Sequence, residues 1–300
     1  MITVLVPTAN RPAMLRTALG SIARQSAAAR IGRVVVSENG NCRESEAVCA
    51  AFPSLPITYI FRQPTTALEH GRDLMREQLD GEFIAFLHDD DWWAPHHLAT
   101  ALAHFSANLD AAFCAAGHLT VRSESALTSS HDNAFAWFGS GYGTLDRPWV
   151  LSRLNVLMAQ LLGTVAHYSS LVMRTAALRQ SAFVYDLENP FDNDRLLIFA
   201  LAAHGSLVFD PVPSLFVRHH GGMDCTNYAR GLRDAHLCAT TLWMVQASGR
   251  PWRVVADSFM RRLALCPEEA RGRLNELAQK PWCLPELNRQ LQERTQPALI

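Results

Sequence analysis

Three consecutive aspartates, Asp89-Asp90-Asp91, follow the apolar run FIAFL and precede Trp92, Trp93 and a proline. Adjacent carboxylates repel one another unless a cation neutralises them. A divalent metal bridging to a diphosphate does this, because Mg2+ and Mn2+ combine a few carboxylates with phosphate oxygens and water. The plainer alternative is a solvated turn whose aspartates cap the following helix. On the run alone the two readings stand level.

The elements around the run separate them. A β-branched run over 2–6 is followed by Pro7 and a helical pattern over 11–25, with Leu15, Leu19 and Ile22 on one face. Buried strands are expected over 34–37 and 57–61, a helix over 66–79, a fourth strand over 83–87 and a helix from Pro95 to about 105. This β-α rhythm with continuous apolar strands predicts a parallel sheet covered on both faces. Ligands of such sheets collect at the carboxyl ends of the strands. Three polar clusters fall there: Thr8 to Arg11, Glu38-Asn39, and His88 to Asp91. They come from different strands and are expected at one edge.

Farther along, 110–122 reads as extended, and 123–146 as a polar, glycine- and aromatic-rich loop over a site. A strand is expected over 166–173, a helix over 192–204, and two short strands over 207–209 and 215–217. Beyond 222 the pattern is helical to residue 300. The chain thus divides into a domain over 1–222, with halves at 1–115 and 116–222, plus a helical extension at 223–300. That extension packs on the second half in the first reading; self-association into a homo-oligomer is the second.

Bulk properties narrow the function classes. The 300 residues are 49% hydrophobic and 18% charged, with formal net charge −1. This is the balance of an ordered globular chain, with no long-range attraction to nucleic acid. The seven cysteines form no CxxC pair, and buried free thiols in a reducing cytoplasm are the expectation. No basic segment leads into an apolar one at the N-terminus, and the longest mostly apolar stretch, 154–166, is interrupted by Asn155, Gln160 and Gly163. A cytoplasmic protein is expected, peripheral to the inner face of a membrane if it meets one at all.

In order, VPTANRP, VVVSENG, HGRDLM and GEFIAFLHDDDWWAP resemble the inverting family 2 glycosyltransferases of GT-A fold. The resemblance covers about 1–105 and resumes near 164–222, in TVAHYSSLVMR and PFDNDRLLIFALAAHG. It implies an α/β, Rossmann-like, mixed, mostly parallel sheet flanked by helices, with a nucleotide-sugar-binding half at 1–115 and an acceptor half at 116–222. It also implies a nucleoside-diphosphate sugar donor, UDP-sugar favoured, with Mn2+ or Mg2+. The acceptor hydroxyl would belong to a glycan, a lipid-linked molecule or a small molecule.

Carried over residue by residue, Pro7, Thr8, Asn10 and Arg11 line the nucleotide. Glu38, with Asn39, replaces the commoner aspartate that contacts base or ribose, and Arg72 matches the family's helix arginine, although Asp73 departs from its asparagine. His88 stands where the family often has its first aspartate. Either Asp89 and Asp91 form the metal pair, or Asp90 is the principal ligand with Asp89 or Asp91 on the ribose; Asp90 and Asp91 nearest the metal is the preferred arrangement. Asp194 occupies the place of the catalytic base, which takes a proton from the attacking hydroxyl. Asp192 is the alternative, and both have plainer readings as helix-terminal carboxylates. His220, in the register of a family histidine, completes the metal shell or donates to the leaving diphosphate. Trp93, Trp137 and Tyr142 are acceptor-side candidates, with Trp92 and Trp93 equally readable as wedges against the core.

The rivals are weaker. A sugar-1-phosphate nucleotidyltransferase needs a glycine-rich phosphate loop where PTANRP stands, and no G-x-G-x-x-G follows any strand. A non-catalytic carbohydrate-binding or scaffold protein is the remaining alternative, suggested by the departures at His88, Asp73 and Asn193.

Overall fold

The structure, a computed structural model, describes residues 1–41, 43–123, 126–129, 147–153, 155–156, 166–181 and 193–220. Asp192, Trp137, Tyr142, most of the 123–146 segment and the 223–300 extension lie outside the described residues. The chain falls into two compact units. One comprises Met1–Leu187 with Leu197–His220; the other comprises Glu188–Leu196 with Gly221–Ile300. The first holds the sheet.

Four parallel strands form its N-terminal half: β1 (Ile2–Thr8), β2 (Ile31–Glu38), β3 (Ile57–Phe61) and β4 (Phe83–Phe86), ordered β3-β2-β1-β4. Between them run α1 (Pro12–Ala23), α2 (Glu44–Ala50) and α3 (Ala67–Glu77). The proline that opens α1 suits a helix start, where its missing N–H is not needed. Thr66 caps α3 in a reciprocal box with Glu69. Alternate residues of β1 feed two cores: Val4 and Val6 pack with Leu15, Leu19 and Ile22 of α1, whereas Leu5 packs with Val35, Leu74 and Ile84 on the other face. Burial on both faces is why these strands are apolar without alternation.

The second half makes the sheet mixed. After α4 (His97–Ala107), β6 (Ala111–Ser123) runs parallel to β10 (Ser206–Arg218), and β9 (Val172–Arg174) lies antiparallel between β4 and β6. The short strands β5 (Trp92–Trp93), β7 (Ala126–Ser129) and β8 (Trp149–Leu151) are also antiparallel to their partners. Helices α5 (Thr175–Gln180) and α6 (Asn193–Leu201) complete the described elements.

Two expectations are corrected here. The 166–173 run is mostly not strand: Tyr168–Ser170 forms a 3-10 turn and only Val172–Arg174 pairs. The two short strands expected over 207–209 and 215–217 are one strand, whose pairing shifts between Asp210 and Leu215 around Pro211 and Pro213, residues that cannot donate to the ladder. Gly117 permits that irregularity, since a Cβ there would lie 2.6 Å from the Pro211 carbonyl oxygen. The first four strands are parallel and the sheet as a whole is mixed, as expected.

Candidate functional site

Register brings the polar clusters together. Thr8 at the end of β1 is level with Glu38 at the end of β2, and Leu5 is level with Phe86 of β4. The chain leaving β4 therefore emerges beside Thr8. Thr8 Oγ1 donates to Asp89 Oδ2 at 2.8 Å, and the Arg11 guanidinium reaches Asp89 Oδ1 at 3.3 Å and Asp90 Oδ2 at 3.2 Å. Each aspartate has its own environment. Asp89 is held by β1 and the turn after it. Asp90 Oδ2 also accepts from His220 Nε2 at 3.0 Å. Asp91 accepts from Ser169 Oγ at 2.6 Å and from the Arg218 backbone N–H at 3.3 Å.

Electrostatics differ along the run. Burial pushes the Asp89 carboxyl up to about 6 despite Arg11 and the Thr8 hydrogen bond. Burial pushes Asp91 up to about 6 as well, against the opposing influence of His88. Asp90 is half-buried, and His88, the His220 hydrogen bond and Arg11 outweigh its desolvation and hold it below the usual carboxylate range. One donor atom each from His88, Asp90 and Asp91 lies within 4.8 Å of the others. Two oxygens and a nitrogen at that spacing suit a divalent cation. The donor set therefore fits the metal expected from the sequence.

The neighbouring cluster is of another kind. Glu38 is fully buried; Oε1 accepts from the Asn10 backbone N–H at 2.9 Å, and Oε2 has no hydrogen-bond partner in the structure. Asn10 adopts a left-handed conformation, φ 55°, and its side chain accepts from the Asn41 N–H. A Cβ on Gly40 would fall 2.5 Å from Asn10 Oδ1 and 2.6 Å from Glu38 Oε1, so a larger residue there would displace both side chains. Asn39 exchanges two hydrogen bonds with Thr65, its Oδ1 accepting from Thr65 N–H and its Nδ2 donating to Thr65 O. Burial and the Glu38 charge together push the Tyr59 phenol up to about 12, and its O–H and the Ser45 hydroxyl are likewise buried without partners.

Other expected site residues fall elsewhere. Arg72, on α3, pairs with the adjacent Asp73, and no hydrogen bond of the described residues ties it to the aspartates. Trp93 corrects the acceptor expectation: it is 2% exposed, stacks on His97 and donates Nε1–H to Ser169 O, so it belongs to the core. Trp92 stacks on Phe216 and lies under the Arg218 guanidinium, a wedge as its plainer reading held. Asp194 is half-buried in the first turn of α6, its Oδ1 accepting from the Arg195 N–H at 2.8 Å.

Sequence reasoning did not single out Ser169, which bonds His88 and Asp91 together. Its only signal was a pair of serines, Ser169-Ser170, just before the apolar Leu171–Met173. Cys49 and Cys114 are buried free thiols, as expected, and burial raises both. No helix among the described residues is long and apolar enough to cross a membrane.

Comparison with known proteins agrees with this geometry. No curated protein matches the sequence. Among solved structures, residues 1–349 of TarS from S. aureus in complex with UDP-GlcNAc superpose with a TM-score of 0.68 at 13% identity, over 92% of this chain and 79% of that one. The same fragment in complex with UDP gives 0.66 at 12% identity, over 97% and 86%. A further TarS structure gives 0.67 at 12%, over 97% and 52%. Identities this low speak for the fold alone, and that fold is GT-A. The model of the family described as glycosyl transferase family 2 matches residues 3–171, more than half of the 300. The chain belongs to glycosyl transferase family 2 and is a glycosyltransferase.

Proposed function

We propose that this glycosyltransferase moves a sugar from a nucleoside-diphosphate sugar to an acceptor hydroxyl in a single displacement that inverts the anomeric centre. A divalent cation, Mn2+ or Mg2+, is held at Asp90 and Asp91. The observation that carries the reading is the convergence of His88, Asp90 and Asp91 donor atoms at the carboxyl edge of the sheet. When bound, the cation supplies neutralisation for the charge that grows on the departing diphosphate.

The remaining roles belong to the chain. Thr8 and Arg11 fix Asp89 and Asp90, and the Arg218 N–H fixes Asp91, so the carboxylates are preorganised before donor arrives. The unpartnered oxygen of Glu38 accepts an N–H or O–H from the base or ribose, with Pro7, Asn10 and Asn39 shaping that side. Asp194 takes the proton of the attacking hydroxyl, with Asp192 as the alternative. Support comes from its register in the family pattern and from the suitability of an ionised carboxylate for the task. The uridine nucleotides in the TarS structures support a UDP-sugar as donor. The acceptor hydroxyl belongs to a glycan, a lipid-linked molecule or a small molecule.

A thermal-shift screen of UDP-, GDP- and dTDP-sugars with Mn2+ tests the reading. A ligand that binds only the native state stabilises it by about 2.7 kcal/mol at a hundred times its Kd. One nucleotide class should stand out, and its effect should vanish on chelation. Equal melting temperatures across all donors, with no metal-dependent hydrolysis of any, would contradict it. Asp194→Asn should retain donor binding and lose transfer; full transfer by that variant would remove Asp194 from the mechanism.

A further inference from the structure

We propose that Arg11 is a resident counter-cation of the aspartate run. In the donor-free chain its guanidinium sits on Asp89 and Asp90, and it passes to the donor's diphosphate when metal and nucleotide bind. Arg11 thereby makes the two binding events depend on one another. This rests on the reading that Asp90 and Asp91 hold a cation.

The bonds around the run fall into two kinds. Thr8 Oγ1 donates to Asp89 Oδ2 at 2.8 Å and Ser169 Oγ to Asp91 Oδ2 at 2.6 Å, both from neutral, buried hydroxyls. Arg11 instead reaches Asp89 Oδ1 at 3.3 Å and Asp90 Oδ2 at 3.2 Å through one nitrogen, Nη1. Charge-assisted N–H···O bonds ordinarily measure about 2.7–2.9 Å, and the strong guanidinium pairs are bidentate. Arg33 meets that standard at 2.7 Å on Asp80, and Arg62 grips both oxygens of Glu77. Arg11 does neither, and its side chain is 34% exposed. It brings the run charge more than geometry, from a position it can leave.

Asp90 is where the conflict lies. A carboxylate oxygen offers about two lone-pair sites, and Asp90 Oδ2 accepts from both Arg11 and His220 Nε2, the latter at 3.0 Å. That oxygen is fully engaged. A dication arriving alone must therefore share Asp90 with a guanidinium of like charge, and like charges repel strongly where water is partly excluded. A diphosphate relieves both cations, because a guanidinium pairs with phosphate oxygens as readily as with a carboxylate.

The turn that carries Arg11 also reaches the Glu38 cluster. Asn10, at φ 55°, donates its backbone N–H to Glu38 Oε1 at 2.9 Å, and Pro12 opens α1 on the other side. Arg11 stands at the N-terminal cap of α1 without a side-chain capping bond, so its departure leaves the helix start intact. A ligand engaging Glu38 and one engaging the aspartates thus act on adjacent residues. Coupling of this kind is reciprocal: the factor by which UDP tightens Mn2+ is the factor by which Mn2+ tightens UDP. An Arg11 that only oriented Asp90 would have the opposite signature, since its loss would loosen the carboxylate and weaken metal bound alone.

The test is calorimetry of Mn2+ and UDP, each alone and together, on the full chain. In the wild type UDP should tighten Mn2+ at least about tenfold. Arg11→Gln should bind Mn2+ alone about tenfold more tightly than the wild type, and the factor by which UDP tightens Mn2+ should shrink by about the same amount. Arg11→Met, which keeps the stem without the charge, should match it, whereas Arg11→Lys, which keeps the charge, should stay close to the wild type. The same order should appear in the rise of Tm with Mn2+ alone, a readout that needs no turnover. Mn2+ bound alone equally or more weakly by Arg11→Gln and Arg11→Met, or coupling to UDP unchanged in both, would overturn the proposal while Asp90-dependent metal binding stood. If the wild-type chain bound no dication even with UDP, or Asp90→Asn bound it unchanged, the cation reading itself would fail.

Discussion

The ends of β2 and β4 present carboxylates at the same sheet edge in opposite states. At β4, every aspartate oxygen named above already has a partner within the chain: Thr8, Arg11, His220, Ser169 or the Arg218 backbone. At β2, Glu38 is fully buried with one oxygen bonded to Asn10 and the other bonded to nothing. A buried unpaired acceptor costs about 1–3 kcal/mol, and more when charged. The chain thus spends hydrogen bonds to aim one group of carboxylates and leaves another short of a donor. Fixed acceptors suit a small ion of set geometry. An open acceptor suits an N–H or O–H that arrives with a ligand.

The contrast can be broken by substitution, beginning at β4. Asp90→Asn should lower transfer on the order of 10²–10³-fold, the scale on which losing one electrostatic stabiliser of a transition state acts. It should lower kcat, and kcat/KM by about tenfold more, because the metal-dependent part of donor binding is lost as well. Glu38→Gln keeps an oxygen for Asn10 but places an amide where the free acceptor was. It should raise the donor KM about tenfold with kcat little changed, a uniform-binding loss of roughly 1.4 kcal/mol. Equal effects of the two variants on kcat would erase the distinction between aiming and reception.

Acidity sharpens the same comparison. Asp89 and Asp91 have carboxyls pushed up to about 6 by burial. A carboxyl raised in the folded state stabilises the ligand-free chain fully below its unfolded value near 4, and loses that contribution as pH rises through about 6. Cation binding requires the ionised form and so runs the other way. At limiting Mn2+ the metal-induced rise in Tm should be full at about pH 7.5 and shrink as pH falls through about 6. A metal increment unchanged at about pH 5 would contradict the site. The smallest effect is expected at Trp92→Leu, which removes the ring beneath Arg218. It should cost about 0.5–1 kcal/mol of stability in thermal unfolding and leave metal affinity nearly unchanged.

The first half was legible because its strands are short β-branched runs ending in polar residues, and parallel pairing with helical crossovers follows from that pattern. Alignment of Thr8, Glu38 and Asp89 at one edge is thereby readable from the chain's pattern alone. The second half was not. A short mixed run such as 166–173 has no period that distinguishes a strand from the 3-10 turn it contains. Strand β5 exists only because Leu215–Phe216 lies opposite Trp92–Trp93, a partner 122 residues away from Trp93 in the register Leu215↔Trp93. Burial of Trp93 and the double bonding of Ser169 are likewise consequences of packing between distant segments. Motif order exposed which residues meet; it did not expose which of them are already spoken for.

Isothermal titration of UDP into the full chain, with Mn2+ and then with excess chelator, tests the central claim most directly. The claim is that Asp90 and Asp91 hold a cation that binds the donor's diphosphate. UDP should bind in the presence of Mn2+, weaken at least about tenfold (1.4 kcal/mol) on chelation, and bind equally weakly to Asp90→Asn with or without metal. Equal UDP affinity with Mn2+, with chelator and in Asp90→Asn would contradict it.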